Sequence, residues 1–292
     1  MINKIKKVSI VLLIGLIIIK RTVIIGAILE SVNIWITNIF PSIFPFLIIS
    51  DLIISTDLIN SITKYIGFIF NKAFKMSKYS SYVFIMSLIS GCPTNAKYIK
   101  DLLDNNLINK DEAIKVLSMS LLYNPILILT ITSYLEIKDS ILIIILNIII
   151  NLLIGFFNRN VDCNYINHVE LKPKDFNIVL SISKAIDTLL LILGVLVLFN
   201  ALSALISYNH PLITGIFEIT NGIKEINFID NYNLKLIFTG ILLSFGGFSI
   251  NVQIKSILKN YNLDYSLFYK SRIIHLILFL LFMYFKIIMS TN

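Results

Sequence analysis

Residues 87–107, SLISGCPTNAKYIKDLLDNNL, decide how this chain folds. An apolar run reaches Gly91, which tolerates backbone angles that other residues avoid, and Pro93 follows without a backbone N–H group. Because a helix cannot pass through this pair undisturbed, we predict that one helix ends at the glycine. A second helix begins at once, since the side chain of Thr94 or Asn95 can cap its first turn.

The second helix of this stretch is amphipathic. Its apolar face carries Ala96, Ile99, Leu103 and Leu107, and its polar face carries Lys97, Lys100, Asp101, Asp104 and Asn105. Two interpretations remain open. In the first, a membrane helix ends at the bilayer surface and a surface helix follows. In the second, the helix is broken or re-entrant at membrane depth, and its free N–H groups face a substrate, as in transporters built from repeats.

The composition is that of a membrane protein. Of the 292 residues, 57% are hydrophobic and only 14% are charged, whereas soluble domains have about 25% charged residues. We therefore predict an all-α integral membrane protein, with the lipid bilayer as a partner. The net charge of +8 comes from Lys and Arg residues scattered at the ends of apolar segments. No basic block with interleaved aromatic residues is present, which argues against nucleic-acid binding.

Residues that could carry catalysis or bind a metal are few. Cys92 and Cys163 lie in different contexts, and no histidine has a partner at metal-ligand spacing. The chain has neither a P-loop nor a G-x-S-x-G motif. We therefore predict no enzyme, no cofactor and no metal site. His275 lies inside the last apolar run, with Arg272 one turn earlier. An ionisable residue within the membrane is a functional candidate by default, and the alternative is that a residue near a helix end only reaches the interface.

The apolar runs predict about eight hydrophobic segments in four divisions. We interpret residues 1–25 as an N-terminal membrane segment with its N-terminus in the cytoplasm. Residues 26–157 form the first half and residues 178–292 the second half. Residues 158–177 are the one long polar stretch, and we predict a water-exposed linker there.

Prolines and polar residues predict further irregularities in the helices. The run FPSIFPF at residues 40–46 indicates a distorted helix start. Asn109 and Glu112 have the spacing of a capping box. Asn124 before Pro125 disfavours regular helix geometry a second time.

The pattern around the first glycine recurs in the second half. At an offset of 156, residues 87–107 match residues 243–263 with five identities, among them Gly91 with Gly247. Both stretches contain an apolar run, a glycine break, an amphipathic helix and a polar turn. Glycine-interrupted segments at corresponding positions of two halves are the sequence feature that points to a transporter binding site.

Several motifs follow one another along the chain in a fixed order. They are FPSIFPF at 40–46, SGCPTNAK at 90–97, Glu112-Ala113, Asn124-Pro125, EITNG at 218–222, LSFGGFS at 243–249 and Gln253. In this order they resemble the YlbJ-like sporulation integral membrane proteins, which have a Gate (nucleoside-recognition) domain. The chain departs from that family at Cys92, Asn95 and Leu121-Leu122, where the family usually has an aromatic residue, a glycine and two asparagines.

The resemblance implies a fold and a function. The family resembles concentrative nucleoside transporters, with inverted repeats and re-entrant hairpins. It is associated with endospore formation and with moving dipicolinate, a pyridine dicarboxylate, from the mother cell towards the forespore. The resemblance therefore implies a transporter of a small organic anion in the outer forespore membrane. A nucleoside or other polar solute is an alternative substrate. A non-transporting scaffold or regulator of sporulation is an alternative function, and a homo-oligomer remains open.

We predict that the substrate binds at the two interruptions. A helix N-terminus presents free N–H groups and about half a positive charge, so each half could hold one carboxylate of dipicolinate. The predicted binding residues are Gly91, Pro93, Thr94, Asn95, Lys97, Asn124, Gly246, Gly247, Ser249, Asn251 and Gln253.

Three polar residues near the predicted site have a structural alternative. Lys97 either attracts the anion or pairs with a carboxylate one turn along its own helix. Glu218 and Asn221 either contact the substrate or finish a helix.

Overall fold

The computed structural model describes residues 14–56, 58–161, 163, 175–206 and 210–291 of the chain. All regular structure in these ranges is helical. In chain order the helices are α1 Arg21–Ser55, α2 Leu58–Ile69, α3 Lys78–Ser90, α4 Thr94–Asp104, α5 Lys110–Met119, α6 Pro125–Ile131, α7 Ile137–Phe157, α8 Ile178–Leu205, α9 Pro211–Phe217, α10 Ile219–Ile226, α11 Tyr232–Phe245, α12 Gly247–Ile257 and α13 Ser266–Thr291.

Several helices are long enough to cross a bilayer. Five segments of the described residues combine that length with sufficient apolar character: Arg21–Ser55, Ile137–Asn160, Ile178–Leu205, Tyr232–Ile257 and Ser266–Met289. The chain is therefore an all-helical integral membrane protein, as its composition predicts. The total of about eight hydrophobic segments stays a prediction.

Helix α1 runs through the proline-rich stretch that we expected to be a helix start. The α-helical hydrogen bonding changes to a π-helical turn at Trp35–Ile39, directly before Pro41, and the helix then continues to Ser55. A π turn and a proline are both known causes of local distortion within a continuous helix. The predicted distortion is confirmed, whereas the predicted helix start is wrong.

Asparagine side chains fix the beginnings of several helices. The side-chain oxygens of four asparagines accept N–H bonds in the first turns of α5, α6, α8 and α11: Asn109, Asn124, Asn177 and Asn231. The capping box at α5 is only half formed. Asn109 accepts from the backbone N–H of Glu112, but the Glu112 carboxylate accepts from Ser77 N–H and the Ser80 hydroxyl at the start of α3.

Both predicted glycine breaks are present. Helix α3 ends at Ser90, and Gly91 has a φ of 81°. Helix α11 ends at Phe245, and Gly246 and Gly247 have φ values of 80° and 68°. These values lie in the region that glycine adopts at little cost. The chain therefore changes direction at each break before α4 or α12 begins.

The start of α4 differs from the prediction in its cap. Thr94 donates its hydroxyl hydrogen to the Gly91 carbonyl, and Asn95 donates from its side-chain amide to the Ser120 carbonyl. Neither side chain accepts from the first turn, so the predicted cap is wrong.

Helix α4 is also buried on nearly all sides, and its Lys97 and Asp101 are buried with it. The interpretation of α4 as a surface helix is therefore wrong. Burial follows from tertiary contacts that an amphipathic pattern does not specify.

The helix boundaries follow the offset found in the sequence. Adding 156 to the first residues of α1, α2, α3, α4 and α5 gives positions within three residues of the starts of α8, α9, α11, α12 and α13. The division of the chain into two repeats remains a prediction.

Parts of two predicted divisions lie outside the described residues. This applies to residues 1–13 of the N-terminal segment and to most of the linker 158–177, including His168.

Apolar side chains form two separate cores. The larger core draws on the last turn of α1, through Ile53 and Ile54, on α2 to α7 and on α10 to α13. A smaller core joins the middle of α1 to the first half of α8 through Ile43, Leu47, Ala185 and Leu189. The Trp35 indole N–H donates to the Leu189 carbonyl at 3.1 Å and strengthens this pairing of α1 with α8.

Candidate functional site

A cavity of about 340 Å³ lies where the irregular segments meet. One wall comes from α1 and α8, and the other from Gly91, Pro93, Asn124, Glu218 and nearby residues at the helix interruptions. Most of its surface is apolar, with a few converging hydroxyl, amide and carboxylate groups. This combination is typical of small-molecule sites.

Only some of the predicted binding residues line this cavity. The four that do are Gly91, Pro93, Asn124 and Gln253. Those that do not are Thr94, Asn95, Lys97, Gly246, Gly247, Ser249 and Asn251. The structure therefore brings the glycine break at Gly91 together with Gln253 of α12 at the cavity. The other predicted residues lie outside the cavity lining.

The segment Ser120–Asn124 between α5 and α6 is unwound and packs against the first break. Cys92 N–H donates to the Leu122 carbonyl at 2.7 Å, and the Asn124 side-chain amide donates to the Ile89 carbonyl at 2.9 Å. A Cβ atom added to Gly91 would lie 2.6 Å from the Asn124 backbone nitrogen. Glycine is thus required at position 91 by its φ angle and by the close approach of a second chain segment.

Neighbouring helices hold the remaining residues of this unwound segment. Asn151 of α7 donates to the Leu121 carbonyl at 3.3 Å, and the Tyr123 hydroxyl donates to the Leu243 carbonyl at 3.0 Å. Buried non-helical backbone needs such partners, because its polar groups have no access to water. Every residue from 120 to 124 is therefore tied to another part of the protein.

Arg272 of α13 supports the unwound segment from behind. Its Nη2 atom donates to the Ser118 carbonyl at 2.6 Å and to Asn151 Oδ1 at 3.0 Å. The residue is 3% exposed, and it forms no ion pair within the described ranges. Its Nε and Nη1 atoms are buried and have no partner there. Arg272 also lies within electrostatic range of Cys92 and Tyr123, which both line the cavity.

His275, one turn further along α13, is buried as well. Its ring nitrogens lie 2.9 Å from Ser244 Oγ and 3.3 Å from Asn147 Nδ2. These contacts link α13 to α11 and α7 away from the cavity wall, so the histidine has a structural role in this geometry.

Lys97 belongs to an ion-pair cluster outside the cavity. Its ammonium group lies 2.5 Å from Asp101 Oδ1 and 3.7 Å from Asp51 Oδ1, and the residue is 4% exposed. Lys184 of α8 approaches the other oxygen of Asp51 at 3.9 Å. The pairing with Asp101 that we gave as an alternative is therefore present, with a second carboxylate from α1.

In the second half, the polar predicted residues mostly satisfy their own helix. Asn251 donates to the Gly247 carbonyl at 2.5 Å and to the Phe245 carbonyl at 3.3 Å. Gln253 donates to Ser249 Oγ at 3.2 Å and also reaches the cavity.

Glu218 is the functional candidate that our predicted site omitted. It sits between α9 and α10, is 3% exposed and lines the cavity. Its Oε2 atom accepts from Thr220 N–H at 2.7 Å, from Asn221 N–H at 3.3 Å and from the Thr220 hydroxyl. The residue therefore caps a helix and faces the cavity at once. Its position directly before a short polar helix was the available sequence signal.

Comparison with known proteins gives one relative of this chain. The chain is similar to the sporulation integral membrane protein YlbJ of Bacillus subtilis (strain 168). The two are 23% identical over 296 residues, which cover 84% of this chain and 72% of YlbJ. The name of YlbJ describes an integral membrane protein, which agrees with the apolar helices of this chain. No protein-family model matches the chain. No solved structure matches it either.

The described residues contain no group of three histidine, cysteine, aspartate or glutamate side chains that could hold a metal ion. Cys92 and Cys163 are both free thiols. We therefore assign no metal or cofactor ligands.

Proposed function

We propose that this chain is a membrane transporter of a small organic anion that acts during sporulation, with dipicolinate as the substrate. The main support for this proposal is the cavity between interrupted helices. Gly91 and Pro93 line it at the first glycine break, and Gln253 lines it beyond the second. Substrate sites formed by discontinuous helices at a repeat interface are a recurring feature of transporters. The sporulation context comes from the name of the YlbJ relative.

An anionic substrate is supported by the positive charges around the cavity. The N-terminal end of α4, which has no side-chain cap, borders it at Pro93, whereas the N-terminal ends of α6 and α10 are capped by Asn124 and Glu218. Helix N-termini favour negative charge. Arg272 adds a full positive charge behind Cys92 and Tyr123, without a carboxylate partner in the described ranges.

Two repeats, related by the offset of 156, are part of this proposal. The agreement in helix starts supports them, as does the presence of a glycine break in each half. We place the protein in the outer forespore membrane by resemblance.

A neutral polar solute such as a nucleoside is the second candidate. The observation that favours it is the lining itself, because Glu218, Asn38, Asn124 and Gln253 present hydrogen-bonding groups to the cavity. A carboxylate and several amides suit hydroxyl and amine donors on an uncharged ligand. A scaffold without transport activity would show uptake of neither solute.

Uptake into liposomes and protection of Cys92 together test the proposal. In a Cys163→Ser background, Cys92 is the remaining thiol, and it lines the cavity. We expect dipicolinate to enter protein-containing liposomes and to slow modification of Cys92 by a small thiol reagent. Uptake and protection by a nucleoside alone would favour the second candidate. The absence of uptake and protection with both solutes would exclude transport of either.

A further inference from the structure

Glu218 is a buried carboxylate on the wall of the cavity, and this position conflicts with an anionic substrate. It forms no ion pair in the described part of the chain, although three donors reach its Oε2 atom. Two like charges in a cavity of low polarity repel each other, and burial itself favours the neutral form of a carboxylate. A dianion and an ionised Glu218 therefore do not share this cavity favourably.

The charged groups around Glu218 do not remove the conflict. Lys224 lies on the same helix and also lines the cavity, but its ammonium group pairs with Glu30 of α1. Tyr123 faces Glu218 from the unwound segment and is uncharged at neutral pH. Arg272 lies behind Tyr123 on α13 and donates to Ser118 and Asn151. The wall residues contributed by α8, Ile192 and Leu196, are apolar, and α9 contains no charged residue.

We infer that Glu218 is the proton-binding site of the transporter, and that it takes up one proton whenever the organic anion occupies the cavity. This inference rests on the proposed function. A proton from the side of entry neutralises the carboxylate, the anion binds beside the neutral acid, and both leave on the other side. No bond other than the carboxyl O–H forms or breaks.

The position of Glu218 between α9 and α10 suits this role. Its Oε2 atom holds the N-terminus of α10, while the carboxyl group faces the cavity. Protonation weakens a carboxylate as an acceptor, so loading a proton also loosens the α10 cap. The state of one proton thus affects both the charge of the cavity and the geometry between α9 and α10.

The main test uses Glu218→Gln, which resembles the protonated acid and keeps an oxygen to accept from Thr220 and Asn221. Liposomes with the wild-type protein and a membrane potential clamped at zero should accumulate dipicolinate about tenfold for an inward proton gradient of one pH unit, because one proton accompanies each anion. Glu218→Gln should still exchange labelled for unlabelled dipicolinate, but its accumulation ratio should fall to about one. Glu225→Gln, on the same helix but outside the cavity lining, should accumulate like the wild type.

Calorimetry on the wild-type protein provides a measurement that does not depend on a variant. Dipicolinate binding in two buffers of different ionisation enthalpy should reveal uptake of about one proton. Glu218→Asp keeps an ionisable acid and should retain that uptake. Exchange in the wild type without a response to the proton gradient, or full accumulation by Glu218→Gln, would overturn the inference alone. Absence of both exchange and uptake in the wild type would overturn the proposed function together with it.

Discussion

Asn95 and Asn251 occupy corresponding positions in the two interrupted segments, in the first turn of α4 and at the start of the second turn of α12. Each donates its side-chain amide to a backbone carbonyl, Ser120 for Asn95 and Gly247 for Asn251. Each leaves its Oδ1 atom buried and without a partner among the described residues. The two asparagines differ in the distance along the chain to their partner. Asn95 connects α4 to the unwound segment Ser120–Asn124, whereas Asn251 stabilises its own helical turn.

This difference predicts distinct effects of Asn95→Leu and Asn251→Leu. Each should lower the free energy of unfolding by about 1–3 kcal/mol, since a buried carbonyl loses a donor. Neither side chain lines the cavity, so each should weaken dipicolinate binding only through the backbone that it holds. Only Asn95→Leu should release the unwound segment and speed hydrogen exchange of the amides of residues 120–124. Asn33→Leu on an exposed face of α1 is the control. Equal exchange rates in the two variants would contradict the distinction.

Alanine substitutions at three glycines test how closely a neighbouring chain segment approaches each position. At Gly91 an added Cβ would lie 2.6 Å from the Asn124 nitrogen, at Gly247 it would lie 3.2 Å from the Gly215 carbonyl oxygen, and at Gly194 it would meet nothing. Alanine at a positive φ costs roughly 1–2 kcal/mol before any clash. We therefore expect melting temperature and uptake to fall most for Gly91→Ala, less for Gly247→Ala and hardly at all for Gly194→Ala. A Gly91→Ala protein with wild-type uptake would argue against a required close approach.

Helix α4 has two ion pairs between residues four apart, one buried and one exposed to solvent. Lys97 and Asp101 are buried, whereas Lys100 and Asp104 are 32% and 48% exposed. Lys97→Gln should lower the free energy of unfolding by about 3–5 kcal/mol, because it leaves the buried Asp101 carboxylate without its cation. Lys100→Gln should cost less than about 1 kcal/mol.

Adding Asp101→Asn to Lys97→Gln should restore part of the lost stability, since it removes an unpaired charge. Denaturation of the four proteins in detergent measures these effects. If Lys97→Gln instead keeps its stability and loses the salt sensitivity of dipicolinate binding, Lys97 acts on the substrate directly.

Cys163 reports on the orientation of the linker. Its thiol lies 3.4 Å from the Lys115 ammonium group, and partial burial raises its pKa. Maleimides react with the thiolate, so labelling should be slow at pH 7 and should accelerate about tenfold for each pH unit below the thiol pKa. In a Cys92→Ser background, a membrane-impermeant maleimide should label oriented vesicles from one side only. Protection from both sides would remove the predicted division into two halves.

Local sequence signals identified the interruptions but not their surroundings. Gly91 and the Gly246–Gly247 pair mark breaks because few other residues adopt a positive φ. Asn124 before Pro125 marked the third irregularity, because that dipeptide disfavours helix at the residue before the proline. Such signals depend only on neighbours in the chain, which is why they could be predicted.

The burial of α4 depends on residues distant in sequence. Lys97 and Asp101 have the spacing of an exposed pair, and only Asp51 of α1 and the packing around α4 make them buried. Glu112 likewise looked like part of a local capping box, although its carboxylate is bound at the start of α3. No periodicity in one helix indicates which other helix will cover it.

The two apolar cores have a mechanical consequence. The cavity lies along the boundary between them, with α1 and α8 on one side. Contacts that cross this boundary include the polar pairs Lys224 with Glu30, Asn221 with Asn200 and Tyr82 with Ser50. Polar pairs can exchange for water, whereas an apolar core cannot separate without a large loss of burial. Under the proposed transport function, we therefore expect the part of α1 before Ile53 to rock with α8 as one lever and expose the cavity to alternate sides, while Ile53 and Ile54 at the end of α1 stay in the larger core.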